Sequence, residues 1–230
     1  MNHDELNKLT AEADRLYGER NGLENVVQSI RQLHDALNPD PIYELAWRLG
    51  RAHFFVGQES SDPRVGTRAH QDGARASRQA TWQRREGVEG QFWLGVNLAL
   101  LAALSSPPMA AANALRARRA LQRACAADAG YHGAGPWRVL GRLQHRLPRW
   151  LGGGADRARQ SYQAAIRLAP QNSVTRIFFA ELLIEIGEFS PATQQLEAVL
   201  ELPDDPEWSF EIERDRRRAA ALLDTIKARS

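Results

Sequence analysis

Six histidines and one cysteine are the residues best suited to metal or nucleophilic chemistry, and their spacing organises neither. His3, His34, His53, His70, His132 and His145 are scattered, with no HExxH pair and no histidine–carboxylate spacing of the zinc hydrolases. Cys125 stands alone, which rules out an intramolecular disulfide and any zinc or iron–sulfur site built from thiolates. The chain holds no G-x-S-x-G elbow, no G-x4-G-K-[ST] phosphate loop and no G-x-G-x-x-G turn. Gly152-Gly153-Gly154 before a helix has the make-up of a phosphate nest, but Asp156 just beyond it suits the positive helix end itself and repels an anion. Arg216-Arg217-Arg218 is diluted by Glu211, Glu213 and Asp215, the pattern of a solvated helix face. No cofactor and no metal are therefore expected. Catalysis would need His132, His145 and Glu181 to converge in a cleft with shifted pKa values. The ordinary roles are loop capping for His132 and, for His145 near a helix end, an imidazolium favoured by the helix dipole.

Composition narrows the partners. The net charge is +2 with an isoelectric point near 9.0, and Lys8 and Lys227 are the only lysines among 30 basic side chains. That arginine bias follows most simply from a GC-rich coding sequence, and without clustering it does not make a nucleic-acid face. The most apolar stretch, Phe92 to Leu104, is shorter than the roughly 20 residues a membrane helix needs, so no transmembrane segment is expected. The amino terminus, MNHDELNKLTAEADRLYGER, is polar and acidic, without a charged-then-apolar leader or a lipidated cysteine. The expected compartment is the cytoplasm, the alternative being the periplasm for a processed chain.

The elements that must position any site are helical. Gly130 to Pro170 places Trp137, Leu140 and Gly141 in W-x2-L-G spacing and Ala158, Tyr162, Ala165 and Pro170 in A-x3-Y-x2-A-x4-P spacing. This resembles one hairpin of a tetratricopeptide repeat. Small Gly141 and Ala158 let two helices approach, Trp137, Leu140 and Tyr162 fill the space between them, and Pro170 stops the second helix. Ala158 lies seventeen residues beyond Gly141, where the repeat normally allows twelve. Pro148, Arg149, Trp150 and the three glycines therefore make a long, kinked corner.

The same pattern recurs along the chain. Leu49-Gly50 and Leu94-Gly95 occupy the L-G position, Phe179-Ala180 takes it once more, and Ala117, Leu121, Ala124 and Ala192, Leu196, Val199 repeat the closing spacing. The expected fold is an all-α solenoid, one domain over residues 1–230, of about five hairpins at residues 4–37, 42–85, 88–127, 134–168 and 173–201. A capping helix at 206–228 follows, starting at Asp205-Pro206 and using Phe210, Ile212, Ala219, Leu222, Leu223 and Ile226. Turns are expected at Asn21-Gly22 and at Asn38-Pro39-Asp40-Pro41. Residues 58–67, QESSDPRVGT, are expected as a polar insertion before a helix over 68–85.

What the repeat resemblance implies is a concave face lined by the first helix of each pair. Counted from the L-G position, the second hairpin would present Trp47, Arg48, Arg51, Phe54 and Phe55, and the third Phe92, Trp93 and Val96. The fourth would present Arg138, Arg142, His145 and Arg146, and the fifth Ile177, Phe178, Glu181, Ile184 and Glu185. Such a groove has an aromatic floor, basic groups from two repeats and an acidic edge, and suits a peptide or an organic acid. Arg138 and Arg142, one turn apart, would grip one carboxylate between them. Equally, these arginines would pair with Glu181, Glu185 or other neighbouring carboxylates, or face water.

Between Val88 and Leu202 the resemblance becomes narrower. The elements GQFWLGVNLA, a Pro-Pro corner, GYHGAGPWRVLGRL, LPRWLGGG, A-R-x2-Y-x2-A-I and A-P-x-N are similar to those of the bacterial repeat proteins that include the T component of TRAP transporters. A eukaryotic family of microtubule-dynamics regulators shares the divergent repeat more distantly. The resemblance implies a non-catalytic, all-helical protein that binds a solute-receptor partner or peptide segment, forms oligomers, and takes a small apolar or acidic ligand. The alternatives are a generic cytoplasmic scaffold and, less favoured, a small-molecule enzyme.

Overall fold

The computed structural model describes residues 1–20, 22–37, 41–203 and 209–228. The expected turn residue Asn21, the stop at Asn38-Pro39-Asp40 and the helix start at Asp205-Pro206 lie outside them, as does the Phe210 side chain. Among the described residues there are eleven α-helices, one 3-10 turn and no strand. The chain is all-α and forms two compact units, Met1–Asp128 and Ala129–Ser230.

The first unit holds α1 (His3–Gly18), α2 (Leu23–Ala36), α3 (Tyr43–Glu59), α4 (Pro63–Gln83), α5 (Val88–Leu104) and α6 (Pro107–Ala127). A capping box starts α1: the Asn2 side chain accepts from the Glu5 amide at 2.9 Å, and the Glu5 carboxylate accepts from the Asn2 amide at 2.9 Å. Ala13, Leu33, Leu45, Leu49 and Ala76 form one buried cluster, and Val26, Ala52, Phe55, Val56 and Ala69 another. The expected insertion after α3 is far shorter than its polar sequence suggests, because α3 runs to Glu59 and α4 already begins at Pro63. Asp62 caps α4 by accepting from the Arg64 amide at 2.8 Å, and Pro63 supplies a first residue whose missing N–H costs nothing there.

In the second unit α7 (Tyr131–Arg146) leads through a 3-10 turn (Arg149–Leu151) to α8 (Ala155–Leu168), followed by α9 (Ser173–Glu185), α10 (Phe189–Leu200) and α11 (Ser209–Lys227). The glycine corner is a fixed piece of backbone. Gly152 has φ 86 and Gly154 φ 114, and a Cβ on Gly153 would lie 1.8 Å from the Leu147 carbonyl oxygen. The core joins Ala158, Tyr162, Ile177, Leu183, Ala192, Leu196, Ala219 and Ile226, with Leu222 and Leu223 packed against it. Thus α11 lays Ala219 and Ile226, seven residues apart, against α9 and α10.

The L-G glycines mark helix crossings in both units. A Cβ on Gly50 would lie 2.1 Å from Ser77 Oγ, one on Gly95 2.7 Å from Leu121 Cγ, and one on Gly141 2.8 Å from the Tyr162 ring. The residues they admit, Ser77, Leu121 and Tyr162, are each fully buried. The repeat spacing is therefore a packing contract, in which a missing side chain on one helix receives a whole one from the next.

Candidate functional site

In the first unit the expected face of α3 carries a compact cationic cluster already neutralised from within. Arg48 donates to both Asp14 oxygens, at 3.0 Å from Nε and 2.7 Å from Nη2, and Arg51 donates to Asp14 Oδ1 at 2.6 Å. Arg48 also donates to the Glu44 carbonyl at 2.8 Å. The guanidiniums stack on aromatic rings, Arg48 at 4.2 Å over Trp47 and Arg51 at 4.1 Å over Tyr17. Burial pushes the Asp14 carboxyl up, but the Arg48 hydrogen bond and the charges of Arg51 and Arg48 outweigh it and hold the carboxyl below its usual range. Trp47 is buried. Phe92 and Trp93, expected on an open aromatic floor, are 2% and 1% exposed. Their rings meet edge-on at 4.8 Å, and Phe54 tilts against Trp93 at 5.3 Å. Here α5 is enclosed by α3, α4 and α6, so its aromatic residues serve the core.

The second unit separates Arg138 from Arg142. Arg138 is buried and donates to the Gly133 carbonyl at 2.8 Å, with the His132 carbonyl at 3.5 Å. Burial pushes it down to about 10, opposed by the charge of Asp215. It lies inside the protein, where it supports an unusual backbone: His132, Gly133 and Ala134 have φ values of 52, 59 and 56. This is a left-handed turn closed by the Ala134 amide donating to the Gly130 carbonyl at 3.0 Å. Two of its three residues carry a Cβ, which costs roughly 1–2 kcal/mol each in this conformation. The buried guanidinium satisfies the carbonyls that the turn presents.

Arg142 instead donates to Glu181 Oε2 at 2.6 Å, while the other Glu181 oxygen accepts from Arg218 of α11. Both guanidiniums lie near the Phe178 ring, Arg142 at 4.4 Å and Arg218 at 6.0 Å. Arg138 and Arg142 lie on one helix face but do not converge on one anion: Arg138 reaches back to the carbonyls of the turn, and Arg142 pairs with Glu181 of α9, the alternative the sequence offered. His145 is paired with Glu185, Nε2 to Oε2 at 2.8 Å, and Arg146 reaches the same carboxylate at 3.3 Å. Burial lowers the His145 pKa even against Glu185. The ring is accordingly neutral near pH 7 with Nε2–H donating, where a charged imidazolium was expected. Glu181 and His145 thus have different partners.

Sequence reasoning treated His34 and His53 as isolated. In the structure they line one groove of about 520 Å³ with Leu49, Arg68, Asp72 and Arg75, between α2 and α4 over α3. Burial pushes His53 down to about 4, opposed by Asp72 and reinforced by His34, Arg75 and His70. Sequence separations of nineteen residues between each pair of neighbours His34, His53 and Asp72 carry no local signal for this gathering. Burial also pushes the Cys125 thiol up to about 12, which makes it unreactive near neutral pH. Among the described residues no group of three His, Cys, Asp or Glu side chains is placed to hold a metal ion, and no helix is long and apolar enough to cross a membrane.

With this geometry in place, three comparisons are informative. The sequence profile of the family described as TRAP transporter T-component matches residues 48–228. No curated protein matches the sequence. Among solved structures the chain is similar to TTC0263, a thermophilic TPR protein of Thermus thermophilus, at 18% identity and a TM-score of 0.70, covering 95% of this chain and 99% of that one. It is also similar to MamA, at 16% identity and a TM-score of 0.55, covering 87% and 95%. At such identities the structural likeness shows the fold, a tetratricopeptide-type all-α solenoid.

Proposed function

Since the chain belongs to the TRAP transporter T-component family, a non-catalytic kind of protein built on a tetratricopeptide-type fold, we propose that it is a transport accessory that binds a protein partner, and is no enzyme. The observation that carries this reading is the extent of the family match, which takes in most of the first unit and nearly all of the second. Solute receptors of the same transport class are the partners of choice.

Each unit carries a candidate face of its own for such a partner, built by Arg142, Phe178, Glu181 and Arg218 in the second unit and by Arg48 and Arg51 beside Trp47 in the first. In each, a cation is stacked on an aromatic ring and tethered to a carboxylate. Such groups are ordered before a partner arrives, so little side-chain freedom is lost on binding. The tethering carboxylates, Asp14 and Glu181, make these places amphoteric rather than simply basic. They suit a polar protein surface better than a bare anion, and a small acidic ligand is the lesser part of the proposal.

The test is calorimetric titration of the chain with a TRAP-type solute receptor from its own organism. Phe178→Ala combined with Arg142→Ala is expected to weaken binding more than tenfold while helical content by circular dichroism stays unchanged. Equal affinity of parent and variant removes the second unit's face from the interaction. Absence of any binding by the parent removes the receptor as partner.

A further inference from the structure

The arginines expected to bind ligands are occupied within the chain, whereas four that no motif marks have no partner among the described residues. Arg116, Arg119 and Arg123 lie at i, i+3 and i+7 on α6 and thus on one helix face. With Arg78 of α4 they line a groove of about 360 Å³ floored by Gln91, Leu94 and Leu98 of α5. None of the lining residues is acidic. All four arginines are exposed, and none makes an ion pair or a side-chain hydrogen bond among the described residues. Like charges on adjacent turns repel one another, a cost that no carboxylate of the groove offsets.

A second feature points the same way. Gln91 is 1% exposed and its amide nitrogen donates to the Arg85 carbonyl at 2.9 Å, which fixes the orientation of the amide. Its Oε1 is buried and has no hydrogen-bond partner. A buried acceptor left open in this way is costly and is satisfied by a donor.

We propose that this groove binds an extended acidic segment of a partner protein. The occupant must supply anions for the guanidinium forks, a hydrogen-bond donor for Gln91 Oε1 and apolar cover for Leu94 and Leu98. A peptide with acidic residues at alternate positions supplies all three, the donor being a backbone N–H. The spacing agrees: alternate residues of an extended chain are about 6.7 Å apart, and Arg119 and Arg123 are separated by a rise of about 6 Å along α6. Phosphodiester backbones offer the charge but neither the donor nor the apolar cover. The inference is independent of the receptor-binding faces proposed above, since no residue is shared.

The test is fluorescence anisotropy with a labelled hexapeptide of alternating glutamate and leucine. Arg119→Gln combined with Arg123→Gln is expected to weaken binding more than tenfold, and Arg78→Gln, on another helix, about threefold or more. A charge-matched control, Arg64→Gln with Arg167→Gln, is expected to bind as the parent does, and replacing the peptide's glutamates by glutamine is expected to abolish binding. All these side chains are exposed, and circular dichroism verifies that each variant is folded. The proposal is overturned if the parent fails to bind the peptide, if the control loses as much affinity as the groove variants, or if the glutamine peptide binds equally. It is also overturned if inorganic tripolyphosphate or a single-stranded oligonucleotide binds the groove more tightly than the peptide, because its occupant would then be a phosphate.

Discussion

At the scale of single residues, Arg138 and Arg142 show what a one-dimensional pattern leaves out. Sequence spacing puts them one turn apart with the same expected role. The structure gives Arg138 a buried position on the carbonyls of a left-handed turn and Arg142 a partly buried pair with Glu181. Their removal should differ accordingly. Arg138→Met leaves the turn's buried carbonyls without their donor, and leaving a buried polar group unsatisfied costs about 1–3 kcal/mol. Arg142→Met loses a pair whose side chains are 26% and 12% exposed, worth about 1 kcal/mol once solvent screening is allowed for. Urea denaturation of the two variants measures both losses, and equal destabilisation would show that Arg138 does not hold the turn. The His132-Gly133-Ala134 turn has little signal in the sequence, because histidine favours a positive φ only weakly and alanine not at all. The Asp14 bridge to Arg48 and Arg51 was equally hidden, spanning 34 and 37 residues with no local trace.

At the scale of the elements, the sequence was far more legible, since repeat spacing reports directly on packing. The L-G glycines and the alanine-leucine closing pattern located the hairpins because each position has one steric duty that few residues can perform. Gly95 makes the duty measurable. A Cβ there would meet Leu121 Cγ at 2.7 Å and the Leu121 amide nitrogen at 3.3 Å, so α5 and α6 must separate to admit it. Gly95→Ala is expected to destabilise by about 1–3 kcal/mol, the usual range for overpacking. Gly18→Ala at the end of α1 meets nothing within 4 Å and is expected to be neutral or stabilising by a few tenths of a kcal/mol, through the unfolded chain. Thermal unfolding of both separates crossing glycines from incidental ones, and a harmless Gly95→Ala would deny the close approach. Where element boundaries were misjudged, at α4, the polar run QESSDPRVGT looked like a loop. The Asp-Pro cap inside it was the signal, and it starts the helix at Pro63.

At the scale of the whole molecule, the two units share one electrostatic habit: His53 and His70 in the first and His145 in the second have pKa values pushed down by burial. In the first unit burial pushes His53 down to about 4 and also lowers His70, whose Nδ1 lies 3.2 Å from Asn97 Oδ1. In the second unit burial lowers His145. An unfolded histidine titrates near 6.5, so below that pH the unfolded chain binds protons that the folded chain refuses. Stability from these groups is therefore complete above about pH 6.5 and is lost progressively as the pH falls toward the folded values, about 4 for His53. Asp14 acts in a separate window. Its folded pKa is depressed below the ordinary 3.8, so its contribution persists above that pH and disappears only in stronger acid. The melting temperature is thus expected to fall between pH 7 and pH 5.5, before carboxylates titrate appreciably. His53→Gln should shrink that fall, because the charges around the ring, Asp72 opposing and His34, Arg75 and His70 reinforcing, then act on a side chain that takes no proton. Melting curves of the parent and His53→Gln across this range provide the check. A parent profile that is flat, or a variant profile of undiminished slope, would place the acid sensitivity elsewhere than in the groove between α2 and α4.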